Sequence, residues 1–269
     1  FGNTPLIMAL DKGFIPIARA LLEAGANPDI QNEIGSTALL IAAGKGHTDI
    51  ANLLLKVPVN PNIQDIHTET PLMKACALGH TSIVRALLEA GAKPDIQNKI
   101  GTTALLIATE KGHTEIAELL LNVSLDPNLQ DKHGETALMK ACALGHTSIL
   151  RALLKAGANP NIQNGSGTTA LLLAVCKGYT EMVNLLLNAG VDTNLKDTSN
   201  ETALMKAVAN GHIEIVKLLL ITEWDSQTQF ESLKTALKAA TFYKRPEIKQ
   251  LLIAAIAQCQ KSYKNNVQK

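Results

Sequence analysis

Aromatic side chains are scarce in this 269-residue chain: 3% of residues, with one Trp, three Tyr and four Phe, against 46% hydrophobic residues overall. A core built without rings is built from aliphatic side chains and Ala, which favours helices, because Ala and Leu are the strongest helix formers. An excess of one charge is missing too. Lys and Arg number 25 and Asp and Glu 24, a formal net charge of +1, which argues against a protein that holds polyanions by bulk charge. No apolar run reaches the roughly 18–20 residues a membrane span needs. The first residues do not show the basic-then-apolar pattern of a signal peptide. Four cysteines, Cys76, Cys142, Cys176 and Cys259, are too few for a disulfide framework at this length. They read as reduced thiols, and the expected location is cytoplasmic.

What the chain does have is a repeat. Thr-(Pro/Ala)-Leu, with Ala three residues further on, begins at Thr4, Thr37, Thr70, Thr103, Thr136, Thr169, Thr202 and Thr235, each step being 33 residues. A second marker keeps the step at Gly13, Gly46, Gly79, Gly112, Gly145, Gly178 and Gly211. His follows five of these glycines (His47, His80, His113, His146, His212) and Tyr179 follows a sixth.

Each unit reads physically as helix, tight turn, helix, hairpin. Thr37 is a helix N-cap whose hydroxyl accepts a free first-turn amide. Pro5 and Pro71 suit the first helical position. A short helix runs from Ala38 to Gly44, and Gly46 closes it in the left-handed conformation. Thr48 is expected as the second N-cap, with Asp49 well placed for the helix dipole. Ile50, Ala51, Leu53, Leu54 and Leu55 then give an apolar stripe at helical spacing. Gly25, Gly91, Gly157 and Gly190 end the second helix, and a polar Gly, Asn and Pro stretch such as 26–32 forms the hairpin. Neither helix buries its face alone, so the units must stack into one continuous core.

The 33-residue step, Thr4-Pro5-Leu6 and Thr70-Pro71-Leu72, the Gly-His pairs and the Gly-Ala-Asn/Asp ends together resemble ankyrin repeats, strongly over residues 1–222 and weakly over 223–262. The fold class this implies is an all-α ankyrin-repeat solenoid of about eight stacked helix-turn-helix and β-hairpin units. The register places a truncated first repeat at 1–31 and repeats at 32–64, 65–97, 98–130, 131–163 and 164–196. A repeat with an atypical end follows at 197–229, then a degenerate capping repeat at 230–262 and a polar tail at 263–269.

The chain departs from the family pattern in two ways. The His after Thr-Pro-Leu is replaced by Ile7, Leu40, Met73, Leu106, Met139, Leu172 and Met205, so apolar packing must stand in for a Thr–His bond that is worth about 0.5–1.5 kcal/mol net. Pro58 and Ser124 stand where the second-helix Gly belongs, and since Pro cannot take positive φ those helices should end differently. Both belong to alternate repeats, which exposes a second period of 66: residues 135–157, ETALMKACALGHTSILRALLKAG, nearly repeat residues 69–91, ETPLMKACALGHTSIVRALLEAG. The array looks like a duplicated pair. Lys74, Lys140 and Lys206 recur every second unit, where Ile41, Ile107 and Leu173 stand between them. With packed helices about 8–10 Å apart, these lysines are expected in a row spaced roughly 20 Å.

At the ends, Phe1 falls inside a hairpin and the Leu6–Leu10 helix looks internal, so further protein is expected upstream. The hairpin pattern fails between Ile221 and Ser232. A long helix is expected from Pro246 past Leu251, Leu252, Ile256 and Cys259 as a cap. Residues 223–269 carry 8 Lys/Arg and 4 Asp/Glu.

Motifs of other chemistry do not hold up. Gly165-Ser166-Gly167-Thr168-Thr169-Ala170 matches a dinucleotide fingerprint, but it lies in a repeat hairpin without the βαβ context that fingerprint requires. Gly44-Lys45-Gly46 is a helix terminus and not a phosphate loop. The Gly-His histidines are too spread out to ligate a metal at about 2.0–2.3 Å; their expected role is a hydrogen bond fixing the inter-helix turn. Cys76 and Cys142 take the Ala position of the first helix and should be buried and inert, and Cys176 should be more exposed. Asn122, Asn164 and Asn200 match the glycosylation pattern by accident, there being no secretory signal. Trp224 is assigned to packing under the cap, with an interface anchor as the sharper alternative.

The resemblance implies partner binding through hairpin tips and the concave face of the first helices. The expected site residues are Glu33, Ile34, Ile66, His67, Lys99, Ile100, Lys132 and His133 on the tips; Glu69, Glu135 and Glu201 before the motif Thr; Lys74, Lys140 and Lys206 on the first helices; and Lys45, Glu110, Lys111 and Lys177 at their ends. Such a mixture of charge and aliphatic area suits protein recognition. The chain is therefore expected to be a monomeric, non-enzymatic protein–protein interaction scaffold with no catalytic residue, cofactor, metal, small-molecule substrate or membrane. The alternative is the targeting domain of a larger protein, such as a bacterial effector with an upstream enzyme, which would place it in a host cytosol. Nucleic-acid binding through the basic C-terminal helix is a third reading, and an affinity independent of salt would count against it.

Overall fold

The computed structural model describes residues 2–221 and 227–267. Phe1 and Trp224 lie outside the described residues, so their expected roles stay as read from the sequence. The described residues form sixteen α-helices and no strand. They come in pairs: α1 (Pro5–Asp11) and α2 (Ile15–Glu23), α3 (Ala38–Lys45) and α4 (Thr48–Leu54), α5 (Pro71–Leu78) and α6 (Thr81–Glu89), α7 (Ala104–Glu110) and α8 (Thr114–Leu121). The series continues with α9 (Ala137–Leu144) and α10 (Thr147–Lys155), α11 (Ala170–Lys177) and α12 (Thr180–Asn188), α13 (Ala203–Asn210) and α14 (Ile213–Ile221), α15 (Gln227–Phe242) and α16 (Pro246–Val267). Two compact units result, Phe1–Ala137 with Lys155–Gly157, and Leu138–Leu154 with Ala158–Lys269.

In the first unit α1, α3, α5 and α7 pack in succession, as do α2, α4, α6 and α8. The seam is made of small and aliphatic residues: Ala42, Ala43, Ala75, Leu39, Ile50, Leu54 and Leu87 have no accessible surface. Ala lets the axes approach, while each fully buried Leu or Ile contributes roughly 1.5–3 kcal/mol relative to exposure. In the second unit α11, α13 and α15 pack in turn, and so do α12, α14 and α16.

The motif threonines cap the first helices. Thr4, Thr37, Thr70, Thr103, Thr169 and Thr202 accept from the amides of Ile7, Leu40, Met73, Leu106, Leu172 and Met205 at 3.2–3.4 Å. Ile7, Leu40, Met73, Leu106 and Leu172, standing at the family's His position, are buried. Gly46, Gly79, Gly178 and Gly211 close first helices at φ of 74, 75, 73 and 75°. The second-helix start departs from expectation. Thr48 is the first helical residue and His47, at φ −77 and ψ 72°, precedes it without a side-chain cap. The reason is the shortness of the turn: Thr48 N already donates to Gly46 O at 2.9 Å and His47 N to Ala42 O at 3.0 Å.

The two repeats without a terminal Gly do end early. α4 and α8 have 7 and 8 residues and close on right-handed Leu55 and Asn122, whereas α2, α6 and α12 run for 9 residues and hand over to a Gly. At the C-terminal end α15 packs on α16 and buries Leu233, Ala236, Ala240, Ile248 and Leu252. Lys244 occupies the Gly position of the register and takes φ 53°.

Candidate functional site

Each tip is organised by one Asx side chain. Asn32 Oδ1 accepts from Ile34 N at 3.2 Å and Ser36 N at 2.8 Å, and Asn98, Asn164, Asp65, Asp131 and Asp197 do the same in their own tips. Such turns offer the backbone a local side-chain partner in place of a strand ladder, and the expected β-hairpins are accordingly tight closed loops. Backbone bonds then join tip to tip within the first unit: Ile66 N to Ile34 O at 3.1 Å and Lys132 N to Ile100 O at 3.0 Å.

The structure brings part of the expected site together as ion-pair triads. Lys74 bonds Glu69 and lies 3.1 Å from Asp65 Oδ2. Lys206 lies 2.8 Å from Glu201 and 2.7 Å from Asp197. Asp65 is 9% exposed. Burial pushes its carboxyl up, but the amides of Glu69 and His67 and the ammonium of Lys74 outweigh burial and hold it below the ordinary carboxylate value. Asp197 is lowered by the same balance, with Lys206 and the Glu201 and Ser199 amides opposing burial. Burial pulls Lys74 and Lys206 down, and their carboxylate partners more than reverse it.

Asp65 and Asp197 were absent from the residues picked out by sequence, although a signal for them existed. The tip residue alternates Asn32, Asp65, Asn98, Asp131, Asn164, Asp197, in step with the residue nine positions on: Ile41, Lys74, Ile107, Lys140, Leu173, Lys206. The residue four positions on alternates with them: Ser36, Glu69, Thr102, Glu135, Thr168, Glu201. The period of 66 is thus the period of a charged triad that is exchanged as a block for a neutral one. Glu135 and Lys140, half-buried, are also engaged. Glu69, Lys74, Glu201 and Lys206 therefore hold tip to helix inside their own repeats.

Other expected residues lie outside these two triads. Glu33, Ile34, Ile66, His67, Lys99, Ile100, Lys132 and His133 are exposed on the tips of the first unit. Glu110, Lys111 and Lys177 are exposed at first-helix ends. Lys45 is tied to Asp11 of the preceding first helix, 3.0 Å from its carboxylate and 2.6 Å from its carbonyl. The Gly-His histidines turn out to act between repeats and not within their turn. His47 Nε2 lies 3.3 Å from Leu10 O, and the His80 ring covers Gly46, where a Cβ would come within 2.7 Å of it. In the cap Arg245 takes the His position, covering Gly211 and donating to Ala209 O at 3.1 Å.

One tip is unlike its neighbours. Thr68 stands where Gly35, Gly101, Gly134 and Gly167 stand in other tips, yet it has φ 60°; Asn200 holds the same position in its own tip at φ 66°. At Gly35 and Gly101 the next tip approaches so closely that a Cβ would meet its backbone at 3.0 and 2.9 Å. Thr68 carries that Cβ, and the bond to the next tip, Lys99 N to His67 O, is stretched to 3.4 Å. Gln31 and Gln97 bridge to the following repeat, reaching Gln64 O at 3.0 Å and Gln130 O at 2.9 Å. Gln64 donates to Thr68 O within its own tip at 2.6 Å, as Gln31 and Gln97 do to Gly35 O and Gly101 O in theirs, and no bridge from it to the following repeat accompanies that bond among the described residues.

Among the described residues no cluster of His, Cys, Asp and Glu could hold a metal ion, and no helix is long and apolar enough to cross a membrane.

The comparisons with known proteins agree with this geometry. The family model for ankyrin repeats (3 copies) matches residues 1–65, 57–131, 119–197 and 171–265. Among solved structures, the ankyrin repeat domain of Bcl-3, described as a unique member of the IkappaB protein family, is 30% identical with a TM-score of 0.71, over 81% of this chain and 98% of that one. EF0377, an ankyrin repeat protein, is 32% identical with a TM-score of 0.66, over 72% of this chain and 100% of that one. The ankyrin repeat domain ABAYE2397 from Acinetobacter baumannii AYE is 35% identical with a TM-score of 0.66, over 70% and 98% of the two chains. No curated protein matches the chain. Capped helix pairs at a 33-residue step, inter-repeat His–Gly packing and Asx-closed tips thus coincide with a family match along almost the whole sequence, and the chain belongs to the ankyrin repeat family.

Proposed function

We propose that the chain is a non-enzymatic scaffold that binds a partner protein through its hairpin tips and the exposed ends of its first helices, as a monomer in a reducing, cytoplasmic compartment. One observation carries the reading. The aliphatic seams are closed, yet Ile34, Ile66 and Ile100 remain exposed on consecutive tips, with Lys99 and Lys132 exposed beside them. Apolar anchors rimmed by charge are how protein interfaces obtain both area and register. Cys76, Cys142 and Cys176 form no disulfide, which supports a reducing compartment. Affinity capture followed by mass spectrometry, with the wild type beside an Ile34→Ser/Ile66→Ser/Ile100→Ser variant, tests the tip assignment. Loss of the captured protein with unchanged helicity supports it, and undiminished capture overturns it.

A further inference from the structure

The exposed isoleucines of the first unit form a ridge. Ile34, Ile66 and Ile100 are 55%, 46% and 60% exposed, on tips connected by backbone bonds. The charges along this ridge are not balanced. The acids of the middle tip, Asp65 and Glu69, are taken up by Lys74. Lys99 and Lys132 are exposed and have no carboxylate partner among the described residues. Glu33 lies at the opposite end of the ridge, so the positive potential is confined to the side of Lys99 and Lys132. Between Ile66 and Ile100 sits Thr68, the one described residue of this unit other than Gly with positive φ. Backbone strain of this kind persists where the surroundings over-determine it and gathers at ligand-contacting positions.

We propose that the ridge of Ile34, Ile66, Lys99, Ile100 and Lys132 binds an acidic segment of the partner protein, whose apolar side chains seat on the isoleucines and whose carboxylates meet the two lysines. This rests on the interaction reading above and adds the chemistry of the partner. Stacked helices lie about 8–10 Å apart, and a segment in the polyproline II conformation advances about 3.1 Å per residue with three residues per turn. An apolar side chain at every third position therefore stays on one face and keeps step with the tips, leaving two positions between for acids.

The test is fluorescence anisotropy on the full chain with a labelled probe peptide of four Leu-Glu-Glu triplets. Comparison probes carry Lys for every Glu or Ser for every Leu, and an oligothymidine tests nucleic acid. The acidic Leu peptide is expected to bind, more weakly as salt rises, and each comparison probe to bind about tenfold worse or not at all. Lys99→Glu with Lys132→Glu should weaken the acidic peptide about tenfold, and Ile66→Ser with Ile100→Ser should weaken it comparably, both with unchanged helicity. Equal binding of the Lys peptide or the oligothymidine, or undiminished binding by the charge-reversed variant, overturns the proposal. Failure of the acidic peptide, with protein capture still dependent on the isoleucines, overturns the acidic partner class and leaves the interaction reading standing. Capture that ignores the isoleucines overturns both.

Discussion

Asp197 Oδ2 lies 2.7 Å from Lys206 Nζ, while its other oxygen accepts the amides of Ser199 and Glu201. One carboxylate thus closes the hairpin tip and fastens it to the first helix. The repeat before it closes its tip without charge, Asn164 accepting the amides of Ser166 and Thr168, and carries Leu173 where Lys206 stands.

That contrast makes a double prediction. Lys206→Met strands Asp197 and Glu201 and should cost about 1–3 kcal/mol, the penalty for a polar group left without its partner. Replacing the whole triad by Asp197→Asn, Glu201→Thr and Lys206→Leu should return stability to within about 1 kcal/mol of wild type, because both sides of the interaction are removed together. Urea unfolding of the single and triple variants checks it. A triple variant as unstable as Lys206→Met would refute the exchange of triads as blocks.

The triads also set a pH dependence. Asp65 and Asp197 are held below the ordinary carboxylate value, so their contribution is present above about pH 4 and lost as pH falls through the lowered folded value. Lys74 and Lys206 are held above the ordinary lysine value, so their contribution is complete below about pH 10 and lost as pH rises through the raised one. Lys206→Met should therefore flatten the acid limb, its destabilisation being largest near neutral pH and shrinking as pH falls through the Asp197 range, read from urea midpoints across a pH series.

Thr68 has a side chain in a conformation that suits Gly. A left-handed residue bearing a Cβ costs roughly 1–2 kcal/mol, part of which Gly returns through chain entropy. Thr68→Gly should raise stability by about 1 kcal/mol in net and slow exchange of the Lys99 amide as its bond to His67 shortens. Thermal unfolding and hydrogen exchange read the two effects.

Gly46 and Gly91 both have positive φ, but a Cβ at Gly46 would strike the His80 ring, whereas one at Gly91 meets nothing within 4 Å. Gly91→Ala should cost about 1 kcal/mol from the backbone alone. Gly46→Ala should cost a further 1–3 kcal/mol, roughly the penalty of overpacking. Adding His80→Ala to Gly46→Ala should recover part of that excess, which a double-mutant cycle measures.

Cysteine labelling reports repeat opening. Burial pushes the Cys142 thiol up to about 12 and Cys76 higher still, and both have no accessible surface. Cys176 is exposed, although burial of its thiol raises it and nearby Lys206 only partly offsets this. An alkylating reagent at pH 8 should modify Cys176 first, and Cys76 and Cys142 only at the rate of local unfolding. Equal rates at all three would contradict the packing of α5 and α9.

Much of this molecule is local, and local features are legible. Thr caps, αL glycines and the early ends at Pro58 and Ser124 depend on residues within one turn of each other, so their spacing carries the information. Other features depend on a residue about 30 positions away. His80 reads as a turn residue until its ring is found over Gly46 of the preceding repeat. Thr68 reads as one more tip residue until the next tip is seen retreating from it.

The sequence by itself determined the ankyrin fold, the 33-residue register, the aliphatic seam and the 66-residue alternation, because each is a periodicity of residue types along the chain. Tertiary structure alone decided which charges are available. Glu69, Lys74 and Lys99 are equally charged on paper, but stacking and the Asx turn turn two of them inward onto each other and leave the third facing water.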